Sequence, residues 1–422
     1  MAQNSQALDL AEAINQLKSE IKFQPGKETL PLEGALERIL AAPVHAPLDM
    51  PPFPASAMDG YALRRLDFQD DPGRAFRVVG QSLAGHPYAG KVGSGEAVRI
   101  FTGAVVPTGA DQIILQEELA QQLDEDAGQT RVQFKPHQPG ESYVRPVAHD
   151  VAHGAQVASP GEVLNPFLFG ALTSYGVSQV EVVKPIRVGV FSTGDELVAA
   201  GTPAAELQPG QIYDSNRATV LALLRNPNLH INDLGRIADD ADQTREFLTR
   251  ASADCDVLIT SGGVSVGEAD FVTRSIAELG RLNVWKLNLK PGKPMAVGSI
   301  GGCTIFGLPG NPVSTVVTLL LVARPLIFHM LTGTIQTPLR YHAELANDIQ
   351  HRAGRTEFQR GVVRAAENGT GLVVRHTGDQ SSNRLMSFAQ SNCLIEIDQS
   401  LGDLPAGSTV PVIPYWGLVE GG

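Results

Sequence analysis

The chain has 422 residues, 43% of them hydrophobic, with 43 glycines and 28 prolines; that is too long for one compact core and predicts two to four domains rich in shaped loops. A formal charge of −12 and a sequence pI near 5.3 exclude a broad nucleic-acid face, which needs a basic surface, while leaving room for a local basic pocket. Three scattered cysteines, Cys255, Cys303 and Cys393, form no CxxC pair and read as small core residues of a reducing, cytoplasmic compartment.

The polar stretch 1–18 shows no signal-peptide pattern. Residues 8–21 predict an amphipathic helix, with Leu10, Ile14, Leu17 and Ile21 at helical spacing. Residues 32–40 predict a second, short helix. The proline cluster between Pro43 and Pro54 breaks regular structure and marks passage into another domain. Runs at 76–79, 97–100, 112–116 and 130–134, set between Gly, Pro and Asp, predict a small β-rich domain over 51–154. A helix near 166–174 and a strand near 179–183 place 155–184 with residues 1–50 in a discontinuous helical linker domain.

From 185 to 333, strands at 187–191, 256–260 and 303–306 alternate with helices at 215–225, 242–252 and 270–279. That alternation predicts a doubly wound, mostly parallel α/β domain. The apolar stretch 313–331 contains Arg324, Pro325 and His329 and reads as a buried core helix, not a membrane span. Short strands at 361–364, 372–375 and 393–397 predict a C-terminal β-barrel-like domain over 334–422.

Three predicted strands of the α/β domain each run into a loop of small residues. The first is Ser192-Thr193-Gly194-Asp195-Glu196, the second runs from Ser261 to Gly267, and the third is Gly307-Leu308-Pro309-Gly310-Asn311-Pro312. Ligands of open parallel sheets bind outside the carboxyl ends of the strands. Glycine lets backbone N–H groups approach a ligand, Ser261 and Ser265 add hydroxyl donors, and a following helix N-terminus favours an anion. One such loop is a tight turn and nothing more. Three at matching strand ends predict a site for a phosphate-bearing ligand. The chain has no GxxxxGK[ST], HExxH or GxSxG motif, and no GxGxxG opening a helix.

Lys286, Lys290 and Lys293 gather around Pro291-Gly292 and Pro294, while Asp195, Glu196, Asp239, Asp240 and Asp270 fall near the same sheet edge. Each taken singly is an ordinary surface lysine or helix cap. Together, carboxylates beside a phosphate site call for a cation. Mg²⁺, which takes a few carboxylates plus phosphate oxygens, is the expected bridge.

Pro51-Pro52-Phe53 followed by Ser56-Ala57-Met58-Asp59-Gly60-Tyr61-Ala62 resembles the run that opens the β domain of the molybdopterin molybdenumtransferases, the family that includes the C-terminal domain of gephyrin. Thr102-Gly103-Ala104 with Asp111 and Glu117 resembles a second family motif. Asp214-Ser215-Asn216, Thr260 through Gly267, Lys290-Pro291-Gly292-Lys293-Pro294 and Leu308 through Pro312 follow in family order. Arg355-Thr356-Glu357-Phe358 and Gln380-Ser381-Ser382 resemble C-terminal motifs. The resemblance spans about residues 32 to 412 and departs at Pro54-Ala55 and Ala148-His149.

The resemblance implies a transferase that inserts molybdenum from molybdate into adenylylated molybdopterin and releases AMP, with Mg²⁺ or a similar divalent cation. It implies an elongated homodimer whose site lies between the α/β domain of one subunit and the small β domain of the other. A molybdopterin adenylyltransferase would be the substrate donor, with no nucleic-acid or membrane partner. Catalytic roles are expected for Asp59, Glu196, Asp239, Asp270, Lys286 and Lys290, and metal ligation for Glu196, Asp239 and Asp59. Substrate binding is expected of Thr102, Asp150, Thr193, Gly194, Ser261, Gly262, Gly263, Ser265, Gly267, Lys293, Pro309, Gly310, Asn311 and Pro312. The alternatives are a non-catalytic molybdopterin-binding scaffold or carrier and, on the second loop alone, an ATP-using adenylyltransferase.

Overall fold

The computed structural model describes residues 7–124, 130–137, 140–263, 271–292, 294–367 and 369–419. At the centre lies a six-stranded sheet in the order Leu229–Ile237, Ile186–Thr193, Val257–Ser261, Cys303–Leu308, Pro294–Ile300, Arg281–Lys286. The first four strands are parallel and the last two antiparallel. Both faces are covered, which is why the inner strands are continuous apolar runs. Val188, Val190, Val257, Ile259 and Phe306 pack on one side with Val220 of the helix Ser215–Leu223 and with the helix that starts at Pro312. Phe191, Leu258 and Ile305 pack on the other with Leu248 of Ala241–Asp254 and Ile276 of Phe271–Leu279.

The most apolar 18-residue stretch of the helix Pro312–Thr332 has a mean hydropathy of 1.8, and 89% of that stretch is buried, so the helix is a core element of this unit. It widens to a π-turn over Leu319–Ala323, just ahead of Pro325, whose ring offers no N–H. Its buried Arg324 lies 4.6 Å over the Phe328 ring and donates to the Val419 carbonyl at 2.6 Å; burial lowers its pKa to about 10. The helix Leu10–Glu20, capped by Asp9, lays Ala13 and Leu17 into the same core.

Residues 32–40 are not a helix. Only Leu32–Gly34 makes a 3₁₀ turn; Glu37 then takes φ +64°, and Ile39 and Leu40 form bridges with Val163 and Val182. Tertiary pairing overrides the local propensity there. Lys27–Pro31 pairs with Gln179–Val183, and Val44–His45 with Gln156–Ala158, over a cluster that includes Leu40, Leu164, Leu172 and Val182.

The small β unit is a sheet in the order Gln112–Leu115, Gly60–Leu63, Glu96–Ile100, Ala75–Ser82, Thr130–Phe134, Leu119–Asp124, with Phe68, Phe76 and Phe134 at its core. At the C-terminal end, Thr356–Ala365, Leu372–His376, Tyr341–Leu345, Thr409–Pro414 and Cys393–Ile397 form a ring of strands. It closes where Cys393–Ile397 pairs back onto Thr356–Ala365, giving a five-stranded barrel. One short strand, Leu289–Lys290, leaves the α/β unit to pair with Thr356 and Glu357, which puts Lys290 directly beside Glu357.

Candidate functional site

Three loops meet at the carboxyl ends of the parallel strands, and Gly262 stands between the other two, against Thr193 of the first and Gly310 of the third. A Cβ on Gly263 would lie 2.9 Å from Thr193 Oγ1, and one on Gly262 3.3 Å from the Thr193 carbonyl. Both glycines hold left-handed φ, +89° at Gly262 and +63° at Gly263, which side-chain-bearing residues rarely adopt. Gly310 approaches next, its Cβ position 3.7 Å from Gly262 Cα. Asn216 donates to the Gly310 carbonyl at 2.7 Å and so ties the third loop to the helix Ser215–Leu223. Asp214, buried, caps that helix at Arg217 N and accepts from Ser192 Oγ at 2.6 Å, fastening the first loop to it. Ser261 is buried, and its hydroxyl has no partner among the described residues.

The barrel supplies the opposing wall. Between it and the loops lies a cleft of about 680 Å³ lined by Gly262, Gly263, Lys290, Pro309, Gly310, Asn311, Ser314, Arg355, Glu357, Gln380, Ser381 and Ser382, among others. Lys290 Nζ donates to Glu357 Oε2 at 3.0 Å. Arg360 is 1% exposed and braces the far lip, donating from Nε to Ser387 Oγ at 2.9 Å and from its guanidinium to the Ser381 carbonyl at 3.3 Å. Val313 N donates to the Ser382 carbonyl at 3.0 Å, so the lip is pinned to the first turn of the long helix. Pro312 opens that helix at its first position, where a missing N–H costs nothing. Two cations, hydroxyls and a glycine turn around one space suit an oxyanion or a phosphate.

The predicted metal-binding carboxylates Glu196 and Asp239 do not line this cleft. Gly194, at φ +136°, lets the Glu196 carboxylate fold over it: a Cβ there would meet Glu196 Oε2 at 2.4 Å. Glu196 and Asp239 are exposed and follow the ends of neighbouring parallel strands, whose last residues, Thr193 and Ile237, pair in register. Asp240, not Asp239, caps the helix Ala241–Asp254, through Gln243 N at 2.8 Å. Lys286 is exposed at the end of the outermost strand, opposite Pro294 at the same sheet edge. Among the described residues, no group of three or more His, Cys, Asp or Glu converges as a metal site.

Asp59 and Thr102 belong to the small β unit. The Asp59 carboxylate accepts from Thr102 N at 2.7 Å and Thr102 Oγ1 at 2.8 Å. The Thr102 backbone bond first, then its hydroxyl and the Arg99 charge, hold the Asp59 carboxyl below the usual carboxylate range. No hydrogen bond or ion pair among the described residues joins Asp59 to Glu196, Asp239 or Lys290 of the same chain. Asp150 is exposed and stands by the Tyr175 hydroxyl, whose pKa is raised by burial and then by that carboxylate. Ser265, Gly267, Asp270 and Lys293 lie outside the described residues.

The structure thus brings Lys290 together with Gly262, Gly263, Pro309, Gly310 and Asn311, and leaves Lys286, Glu196 and Asp239 on the adjoining edge. Sequence reasoning assigned no role to Arg355, Glu357, Gln380, Ser381 or Ser382, although their motifs were visible; His351 carried no signal at all.

Residues 8–176 match the family model described as MoeA N-terminal region (domain I and II). Residues 189–329 match a probable molybdopterin binding domain, and 342–415 the MoeA C-terminal region (domain IV). The molybdopterin molybdenumtransferase of Haemophilus influenzae is 39% identical over 411 residues, covering 97% of this chain and 98% of its own length. That of Nostoc sp. is 33% identical over 420 residues, covering 96% and 92%. A crystal structure of the molybdopterin biosynthesis MoeA protein from Pyrococcus horikoshii OT3 superposes with a TM-score of 0.81 at 26% identity, covering 97% of this chain and 100% of that one. With relatives at that identity along its full length, the chain belongs to the molybdopterin molybdenumtransferase family.

Proposed function

We propose that this chain inserts molybdenum from molybdate into adenylylated molybdopterin and releases AMP, a transferase step of molybdenum cofactor biosynthesis. The observation that carries this reading is the cleft where Lys290, Arg355, Ser381 and Ser382 face the Gly262-Gly263 and Pro309-Gly310-Asn311 turns. Molybdate, a small dianion, is bound at the lysine, arginine and serine side. The terminal phosphate of the pterin lies against the glycine turn and the start of the long helix, where the positive end of the helix dipole favours negative charge.

The residues present fit a magnesium ion. Glu196 and Asp239 offer hard carboxylate oxygens at adjacent strand ends, and Mg²⁺ commonly takes one or two carboxylates and completes its shell with phosphate and water. Asp59 of a second copy adds a third carboxylate in a homodimer, oriented by its two hydrogen bonds from Thr102. Neutralising charge at the phosphate–adenylate link is the chemistry such an ion supplies when bound. A carrier that never turns its ligand over has no need of carboxylates at an anion-binding edge, which argues against the scaffold reading. The setting is cytoplasmic, with a molybdopterin adenylyltransferase handing over the substrate.

The test is AMP release from adenylylated molybdopterin, assayed with and without molybdate and Mg²⁺. Release that requires both, and that falls in a folded Asp59→Asn protein, supports the reading. A protein that binds the substrate but never releases AMP is a carrier.

A further inference from the structure

A carboxylate lining an anion site needs a physical reason, and Glu357 has one. Its side chain is only 4% exposed, and both its oxygens are taken. Oε1 accepts from Gln359 Nε2 at 3.2 Å, and Oε2 takes Lys290 Nζ at 3.0 Å on the cleft side and His351 Nδ1 at 2.9 Å on the barrel side. The His351 side chain is 0% exposed, and its Nε2 has no partner among the described residues. A ring with Nδ1–H toward the carboxylate leaves Nε2 as a bare acceptor, which is cheaper to bury than an orphaned N–H donor. The His351 backbone is itself fixed, its N–H donating to Asp403 Oδ1 at 2.8 Å.

We propose that His351 is a positioning residue: by holding Glu357 in one rotamer it fixes the Lys290 ammonium toward the oxyanion in the cleft. The Lys290 side chain is 48% exposed and carries four rotatable bonds, so an unbraced ammonium samples many positions. One bond from Glu357 restricts it only if Glu357 is itself restrained. The strand pairing supplies part of that restraint, through the Lys290–Glu357 register; Gln359 holds Oε1, and the imidazole holds Oε2, the oxygen that takes the lysine. His351 reaches no ligand; it acts through two intervening side chains. This inference rests on the proposed molybdate site and names the barrel residue that aims it.

The experiment is calorimetric titration of molybdate into the full-length protein, which reads binding without turnover. His351→Leu is expected to weaken binding about ten-fold, the equivalent of about 1.4 kcal/mol. His351→Asn, whose amide reproduces the Nδ1 donor, restores most of the affinity. In a Lys290→Ala background, His351→Leu has no further effect, because the residue it aims is gone. A folded His351→Leu protein that binds molybdate as the wild type does overturns the proposal. So does a loss that persists in the Lys290→Ala background, and so does a His351→Asn protein no better than His351→Leu. If the pattern holds but the wild type releases no AMP, the enzymatic reading fails and the positioning role stands.

Discussion

Asp214 joins two elements that the sequence separates: it caps its own helix at Arg217 N and accepts the Ser192 hydroxyl at 2.6 Å. It also takes Arg217 Nε at 2.8 Å, and Arg217 in turn pairs with Asp233 on the edge strand. The first ligand loop is thereby fastened to a rigid helix by a buried, fully engaged carboxylate. Asp214→Ala strands the buried Ser192 hydroxyl, at about 1–3 kcal/mol for an unsatisfied buried group, and leaves Arg217 with Asp233 as its remaining carboxylate. The thermal midpoint should fall by several degrees, and substrate affinity should fall with it. A calorimetric scan checks the first and a binding titration the second; an unchanged midpoint would refute the account of this network.

The glycine turn gives a second prediction. Gly263→Ala meets two obstacles, φ +63° and a Cβ 2.9 Å from Thr193 Oγ1. A non-glycine residue in that region costs on the order of 1–3 kcal/mol. The variant should lose stability by about that amount and bind the pterin phosphate more weakly, measured by urea unfolding and ligand titration. Gly301→Ala, also at positive φ but with open space around its Cβ position, should lose stability with no loss of binding.

The folded-state value of the Asp59 carboxyl lies below its ordinary 3.8, chiefly because of the Thr102 backbone N–H. A depressed carboxyl contributes stability that is full above the ordinary value and is lost as pH falls through the folded one. Thr102→Val removes the hydroxyl bond and keeps the backbone bond. The carboxyl should rise part of the way toward 3.8, as read by NMR titration of the Asp59 side chain. No movement would mean that the Thr102 hydroxyl does not hold it.

The cysteines provide a check on the packing. Burial pushes Cys303 and Cys393 up to about 12 and raises Cys255 as well. The thiolate is the reactive form, so none of the three should react with a thiol reagent at pH 8 in the native protein. All three should react in denaturant. Rapid native labelling of any one would contradict the cores that enclose them.

Legibility in the sequence followed burial. The strands Ile186–Thr193, Val257–Ser261 and Cys303–Leu308 read as apolar runs because each has a neighbour on both sides and helices on both faces. Leu229–Ile237 and Arg281–Lys286 lie at the sheet edges with mixed burial, so their residues carry no run to read. The glycine loops were legible for the same reason as the inner strands: each follows one directly. The barrel wall of the cleft showed only as the motifs around Glu357 and Ser381, with nothing to place them against the glycine loops. Lys290 and Glu357 stand 67 residues apart, joined by a two-residue strand pairing that leaves no local pattern. The Leu32-Glu33-Gly34-Ala35 stretch misled because its helical propensity gives way to bridges at Ile39 and Leu40.

The molybdate concentration that half-saturates AMP release tests the central claim most directly, compared between the wild type and Arg355→Ala. Arg355 lines the cleft beside Lys290, and losing a charge-assisted contact to a dianion costs about 1.5–3 kcal/mol. The requirement should therefore rise at least ten-fold while the melting temperature stays near that of the wild type. A folded Arg355→Ala enzyme with an unaltered molybdate requirement would show that the oxyanion binds elsewhere.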